Sequence, residues 1–101
     1  MAGPIDFQAV ISENTAARNA IVAAVTGKRI VVTNIVLVCT LENTIVWESS
    51  TTALSGVMTF TAAGGYSMSG GALLKTASGE ALNITQTVAQ LVTGHLTYRL
   101  E

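Results

Sequence analysis

Lys28-Arg29-Ile30-Val31-Val32-Thr33-Asn34-Ile35-Val36-Leu37-Val38-Cys39-Thr40-Leu41, residues 28–41, decides the fold class. After two opening charges the stretch is almost wholly β-branched or apolar. A helix of that length would carry a polar stripe, and no stripe is present. β-Branched side chains lose rotamer freedom in a helix and pack well on a pleated surface. The stretch therefore reads as one long strand. Its apolar residues do not alternate with polar ones, so both faces are expected to be covered. One face suits the core of a β-sandwich. The other calls for another subunit or a larger assembly, because no amphipathic helix is evident to cover it.

The flanking segments extend the same reading. Before the long strand, residues 17–25 carry Ile21, Val22 and Val25, and Thr26-Gly27-Lys28-Arg29 makes a tight turn. That combination predicts a hairpin, with residues 20–25 pairing directly onto the long strand. Further upstream, Pro4–Ile11 alternates imperfectly, with Ile5, Phe7 and Ile11 on one side, and Ser12–Thr15 reads as a loop. After a turn at 41–44, Thr44–Ser49 is a strand with Ile45 and Trp47 on one face and Val46 and Glu48 on the other. Trp47 is the only tryptophan and is expected to fill the core, where its indole N–H needs an acceptor. Residues 49–56 read as a loop, and Val57–Ala62 as a strand ended by Gly64-Gly65. Residues 64–71 are expected to be the most flexible part, because glycine dominates them.

Leu73–Thr76 is a strand or an extended connection, and Ala77-Ser78-Gly79-Glu80 is a turn. Leu82 and Ile84 face inward on a strand over 81–87. Val92–Leu100 has the cleanest alternation, with Val92, Leu96, Tyr98 and Leu100 in and Thr93, His95, Thr97 and Arg99 out. Seven or eight short strands joined by Gly/Ser/Thr turns predict an all-β, antiparallel β-sandwich or jelly roll. One domain spans 1–101, with 1–16 as an N-terminal arm or first strand.

Composition sharpens the need for a partner. The 101 residues are 50% hydrophobic and only 11% charged, against roughly 25% charged in ordinary soluble domains. Mean hydropathy is +0.53. Much of the surface is therefore uncharged, which favours burial between subunits. Candidate interface residues are Val32, Val36 and Val38 on the long strand and His95, Thr97 and Arg99 on the last one.

The net charge is −1 and no basic run exceeds Lys28-Arg29, so a nucleic-acid partner is not expected. No apolar run reaches the roughly 18–20 residues of a membrane-spanning helix. The N-terminal Met1-Ala2-Gly3-Pro4 lacks the pattern of a secretion signal, which points to synthesis in the cytoplasm. Cys39 is the single cysteine and is expected to be a buried free thiol. The one histidine has no metal-ligand companions at useful spacing. The six acids are scattered singly, no glycosidase pair stands out, and no nucleophile elbow is present. A Gly-Lys-Ser/Thr phosphate loop is missing after Gly70-Gly71. The chain reads as a non-enzyme without metal or cofactor.

Four segments carry a resemblance. They are Ala20-Ile21-Val22-Ala23-Ala24-Val25-Thr26-Gly27-Lys28-Arg29-Ile30, Ala53-Leu54-Ser55-Gly56-Val57-Met58, Thr76-Ala77-Ser78-Gly79-Glu80-Ala81-Leu82-Asn83-Ile84 and Val92-Thr93-Gly94-His95-Leu96-Thr97-Tyr98. In that order they resemble small β-sandwich structural proteins of tailed bacteriophages. The resemblance implies a jelly-roll-like sandwich, commonly a homotrimer on the virion, binding the major capsid protein as a head-decoration (cement) protein. A fibre or spike module contacting the host surface or its glycans is the alternative, and a free carbohydrate-binding module a second. The aromatic tract expected before the Ser-Gly-Glu turn is replaced by Gly70-Gly71-Ala72-Leu73-Leu74-Lys75.

Overall fold

The computed structural model describes residues 6–101. Among them are nine strands: β1 (Phe7–Glu13), β2 (Arg18–Val22), β3 (Ile30–Cys39), β4 (Asn43–Ser49), β5 (Thr52–Ala53), β6 (Met58–Phe60), β7 (Gly64–Lys75), β8 (Leu82–Gln86) and β9 (Val92–Leu100). They form two antiparallel sheets. Sheet A has the order β1-β9-β3-β7; sheet B has the order β2-β8-β4-β5, with β6 also on β4. The all-β sandwich expected from the sequence is the fold. Pro4 and Ile5, assigned to the first strand on sequence, lie outside the described residues.

The pairing has a simple logic. β1 pairs with β9, β2 with β8, β3 with β7, and β4 with β5 and β6. That is one long hairpin, rolled until β9 also meets β3 and β8 also meets β4. The winding is that of a jelly roll. The longest apolar strand, β3, lies inside sheet A between β9 and β7. The sequence has that order of hydrophobicity because an interior strand of a sandwich is buried more fully than an edge strand.

The core runs between the sheets. Sheet A contributes Ile11, Ile30, Val32, Ile35, Leu37, Cys39, Val92 and Leu96; sheet B contributes Val22, Ile45, Trp47, Leu82 and Ile84. Ile45 with Trp47, and Leu82 with Ile84, share inner faces as their alternation predicted. Trp47 fills the centre, and its Nε1–H donates to Tyr66 Oη at 2.8 Å, tying β4 of one sheet to β7 of the other. Cys39 is buried and unpaired, and burial pushes its thiol pKa up. It behaves as a small hydrophobe.

Three expectations are corrected. First, β2 does not form a hairpin with β3. It pairs with β8, and residues 23–29 cross from sheet B to sheet A. The tight turn is real: Gly27 has φ +75°, and Lys28 N–H donates to Val25 O at 3.0 Å. The same local turn serves a crossover here, because Val22 joins the core from sheet B. Second, Gly64-Gly65 does not end a strand. Both lie in the twelve-residue β7, and Gly65 allows its close approach to β3: a Cβ there would sit 2.2 Å from Leu37 O. Third, the inward alternation of β3 breaks once. Val32 pairs with Tyr98, but Asn34 pairs with Thr97, leaving Thr33 as a bulged extra residue.

Sheet B also carries a polar network on its outer face. Arg18 Nε donates to Glu48 Oε1 at 3.0 Å, and Thr85 Oγ1 donates to the same carboxylate oxygen. Glu48 is largely buried. The Arg18 hydrogen bond holds its carboxyl pKa below the ordinary value; burial opposes this, and Thr85 reinforces it. A lowered folded-state pKa contributes stability above the unfolded value, about 4.3, and the contribution disappears as pH falls through the folded value. Glu48→Gln is therefore expected to unfold at a lower temperature than the native chain near pH 7. The gap should close as pH falls below the ordinary carboxylate range, through the lowered folded-state value at which the native carboxylate also protonates. Melting curves across pH check this; a gap unchanged down to pH 2 would exclude the linkage.

Candidate functional site

The candidate site is the outer face of sheet A, and it follows from register. Residues paired across strands share a face, and Leu96 and Val92 of β9 face the core. The intervening residues of β9 and their partners must then face out. Three rows result. One is Val10, His95, Val36 and Ser67; the second is Gln8, Thr97, Asn34 and Ser69; the third is Ser12, Thr93, Val38 and Gly65. Their order is β1, β9, β3, β7. These twelve positions contain no Asp, Glu, Lys or Arg, and His95, at the centre, is their only titratable side chain.

Two valines of the face are open to solvent. Val10 is 75% exposed and Val38 42% exposed. Beyond the third row lie Leu41 and Leu91, both exposed, where Thr40 N–H donates to Leu91 O at 3.1 Å. Sheet B offers a contrast, since the Arg18–Glu48 pair occupies its outer face. The outer face of sheet B thus holds an ion pair, and the twelve positions on the outer face of sheet A hold no charged residue.

At the opposite end the neutral face stops at a charged rim. Arg99, Val31 and Lys75 form the next row. Glu101 reaches both cations, with Arg99 Nη2 at 2.7 Å and Lys75 Nζ at 3.9 Å. The Arg99 hydrogen bond lowers the Glu101 pKa, aided by the charges of Lys75 and Arg29. Arg99 Nη1 also donates to Gly71 O at 2.9 Å.

Of the six residues singled out in the sequence, Val36, Val38, His95 and Thr97 come together on this face. Val32 does not. Strict alternation would place it with Val36 and Val38, but the bulge at Thr33 turns it inward, and it is fully buried in the core. Arg99 lies on the rim, its guanidinium committed to Glu101 and Gly71. Sequence reasoning missed Val10, the most exposed of the large hydrophobic residues on the face. The alternation of Gln8, Val10 and Ser12 against Phe7 and Ile11 carried that signal.

Among the described residues no cluster of three or more His, Cys, Asp or Glu side chains is placed to hold a metal, and no pocket opens. The neutral face is an open sheet surface, and its extent follows from strand spacing. Four strands about 4.8 Å apart and three rows give a footprint of about 400 Å². That is about half of the roughly 800 Å² per partner of a standard stable interface. Comparison with known proteins returns no match: no family model fits the chain, and no curated protein or solved structure matches it significantly.

Proposed function

We propose that this chain is a non-enzymatic structural protein of a tailed-bacteriophage virion, a decoration protein that binds the head shell as a homo-oligomer and stiffens it. The carrying observation is the uncharged outer face of sheet A, with Val10 and Val38 open to solvent. A surface of that kind strands no charge when covered, and covering it removes apolar area from water. The sequence resemblance supplies the setting: a sandwich on the particle, trimeric, with its copies and the major capsid protein as partners. The small footprint suits this role, because many weak contacts repeated over a shell give strong attachment together. Nucleic acid is not a partner in this reading, since Arg99 and Lys75 on the rim of the face are paired with Glu101.

Antibody-gold labelling of particles from the source lysate tests the reading. Gold distributed over heads is the expected result, and shells lacking the protein should rupture at a lower temperature. Gold confined to a tail tip would transfer the protein to the fibre or spike class. Equal rupture with and without the protein would remove the stiffening role.

A further inference from the structure

We infer that β7 is a second contact, distinct from the neutral face: its free edge pairs antiparallel with β7 of a second copy, about a two-fold axis through Ser67. This goes beyond the decoration role and does not depend on it.

The four sheet edges are unequal. Exposed edges invite strand addition unless they are short, charged, interrupted by proline or bulged. In sheet B the edges are β2, five residues long with Arg18, and the short β5 and β6, of two and three residues. In sheet A, β1 has seven residues with Glu13 at one end. β7 has twelve, and carries neither charge nor proline from Gly64 to Leu74. Its register shift comes only after Ser69, between the pairs Asn34–Ser69 and Val32–Leu74. The run from Gly64 to Ser69 therefore has none of the usual protections.

A second copy fits that run in register. A two-fold axis normal to the sheet places residues of the same face opposite each other. With the axis at Ser67, Gly65 meets Ser69 of the partner on the outer face, and the two Ser67 side chains meet each other. On the inner side Tyr66 meets Met68 of the partner. Met68 is 44% exposed in the single chain, and thioether–aromatic contacts are favourable. Gly64 meets Gly70. No like charges oppose, and no bulky pair collides. The two sheets A then make one eight-stranded sheet whose neutral outer faces are continuous.

Cysteine cross-linking tests the pairing. Opposed Cα atoms in an antiparallel pair lie within disulfide range. Under mild oxidation at high protein concentration, Ser67→Cys should form a disulfide dimer at least about tenfold faster than Val10→Cys. Val10 lies on the same outer face, but on β1. Adding Met68→Lys to Ser67→Cys should abolish the dimer while the circular dichroism stays native, since Met68 lies on the side away from the neutral face. The native chain, with Cys39 alone, is the background. Equal rates at positions 67 and 10, or cross-linking that survives Met68→Lys, would overturn the two-fold edge pairing. Either result would leave the neutral face as the only contact.

Discussion

Trp47→Ala is expected to lower the unfolding free energy by about 3–5 kcal/mol, the usual cost of truncating a buried aromatic side chain. The indole is the largest side chain of the core and almost completely buried. Its removal leaves a void between the sheets and takes the donor away from Tyr66 Oη. A domain of this size has about 5–15 kcal/mol in total, so the variant should be marginal at room temperature. Trp47→Phe separates the two effects. It retains much of the packing and loses the hydrogen bond, and should cost about 1–3 kcal/mol. Urea unfolding followed by circular dichroism measures both; fluorescence is unsuitable because Trp47 is the only tryptophan. A loss below about 1 kcal/mol for Trp47→Ala would fall short of any core truncation and would mean that the indole does not hold the sheets together.

Gly94→Ala should be comparably damaging, for a backbone reason. Gly94 has φ +142°, a region that L side chains rarely adopt, and an added Cβ would lie 1.9 Å from Val36 O. The conformation alone costs about 1–3 kcal/mol for a non-glycine residue. The collision adds to it, because β9 must separate from β3 at the centre of sheet A. A total above about 3 kcal/mol is expected. Gly27→Ala is the control: its φ is +75°, but nothing lies within 4 Å of the new Cβ. It should cost only about 1–2 kcal/mol. Equal losses at the two positions would show that close approach of β9 to β3 contributes nothing. Gly65 makes the matching approach from the other side of β3, so this strand is held between two neighbours that each need a glycine.

These glycines explain much of what the sequence conceals. Strands β3, β4, β8 and β9 were legible because β-branched and aromatic residues mark them, and alternation gave their inner faces. β7 was legible only in part: Leu73–Thr76 read as a strand or an extended connection, but Gly64, Gly65, Gly70 and Gly71 carry no side chain from which to read one continuous strand. The role of Gly65 depends on Leu37 and Val38, distant in sequence. The crossover after β2 was read as a hairpin for a similar reason. Gly27 forms the same turn whether the next strand pairs with β2 or lies in the other sheet, and the choice is made by long-range burial.

The surface was legible in part. Val36, Val38, His95 and Thr97 were found because β3 and β9 each show their outward residues. Val32 was misassigned because one bulged residue, Thr33, reverses the facing of everything before it, and bulges have no signature in a run of Val, Thr and Asn. The reading that both faces of β3 need cover holds for its inner face within one chain. On the outer face Val38 stays open.

That open face carries the functional reading, and sedimentation velocity of the purified protein tests it most directly. The native chain should sediment as a multiple of its 10.4 kDa mass, a trimer if the resemblance holds. Val10→Lys and Val36→Lys should each lose that assembly and sediment as a folded species no larger than the dimer that β7 pairing allows, because an unpaired charge resists burial in the face-to-face contact. A native chain that remains monomeric at every concentration, or lysine variants that assemble as the native protein does, would contradict the account.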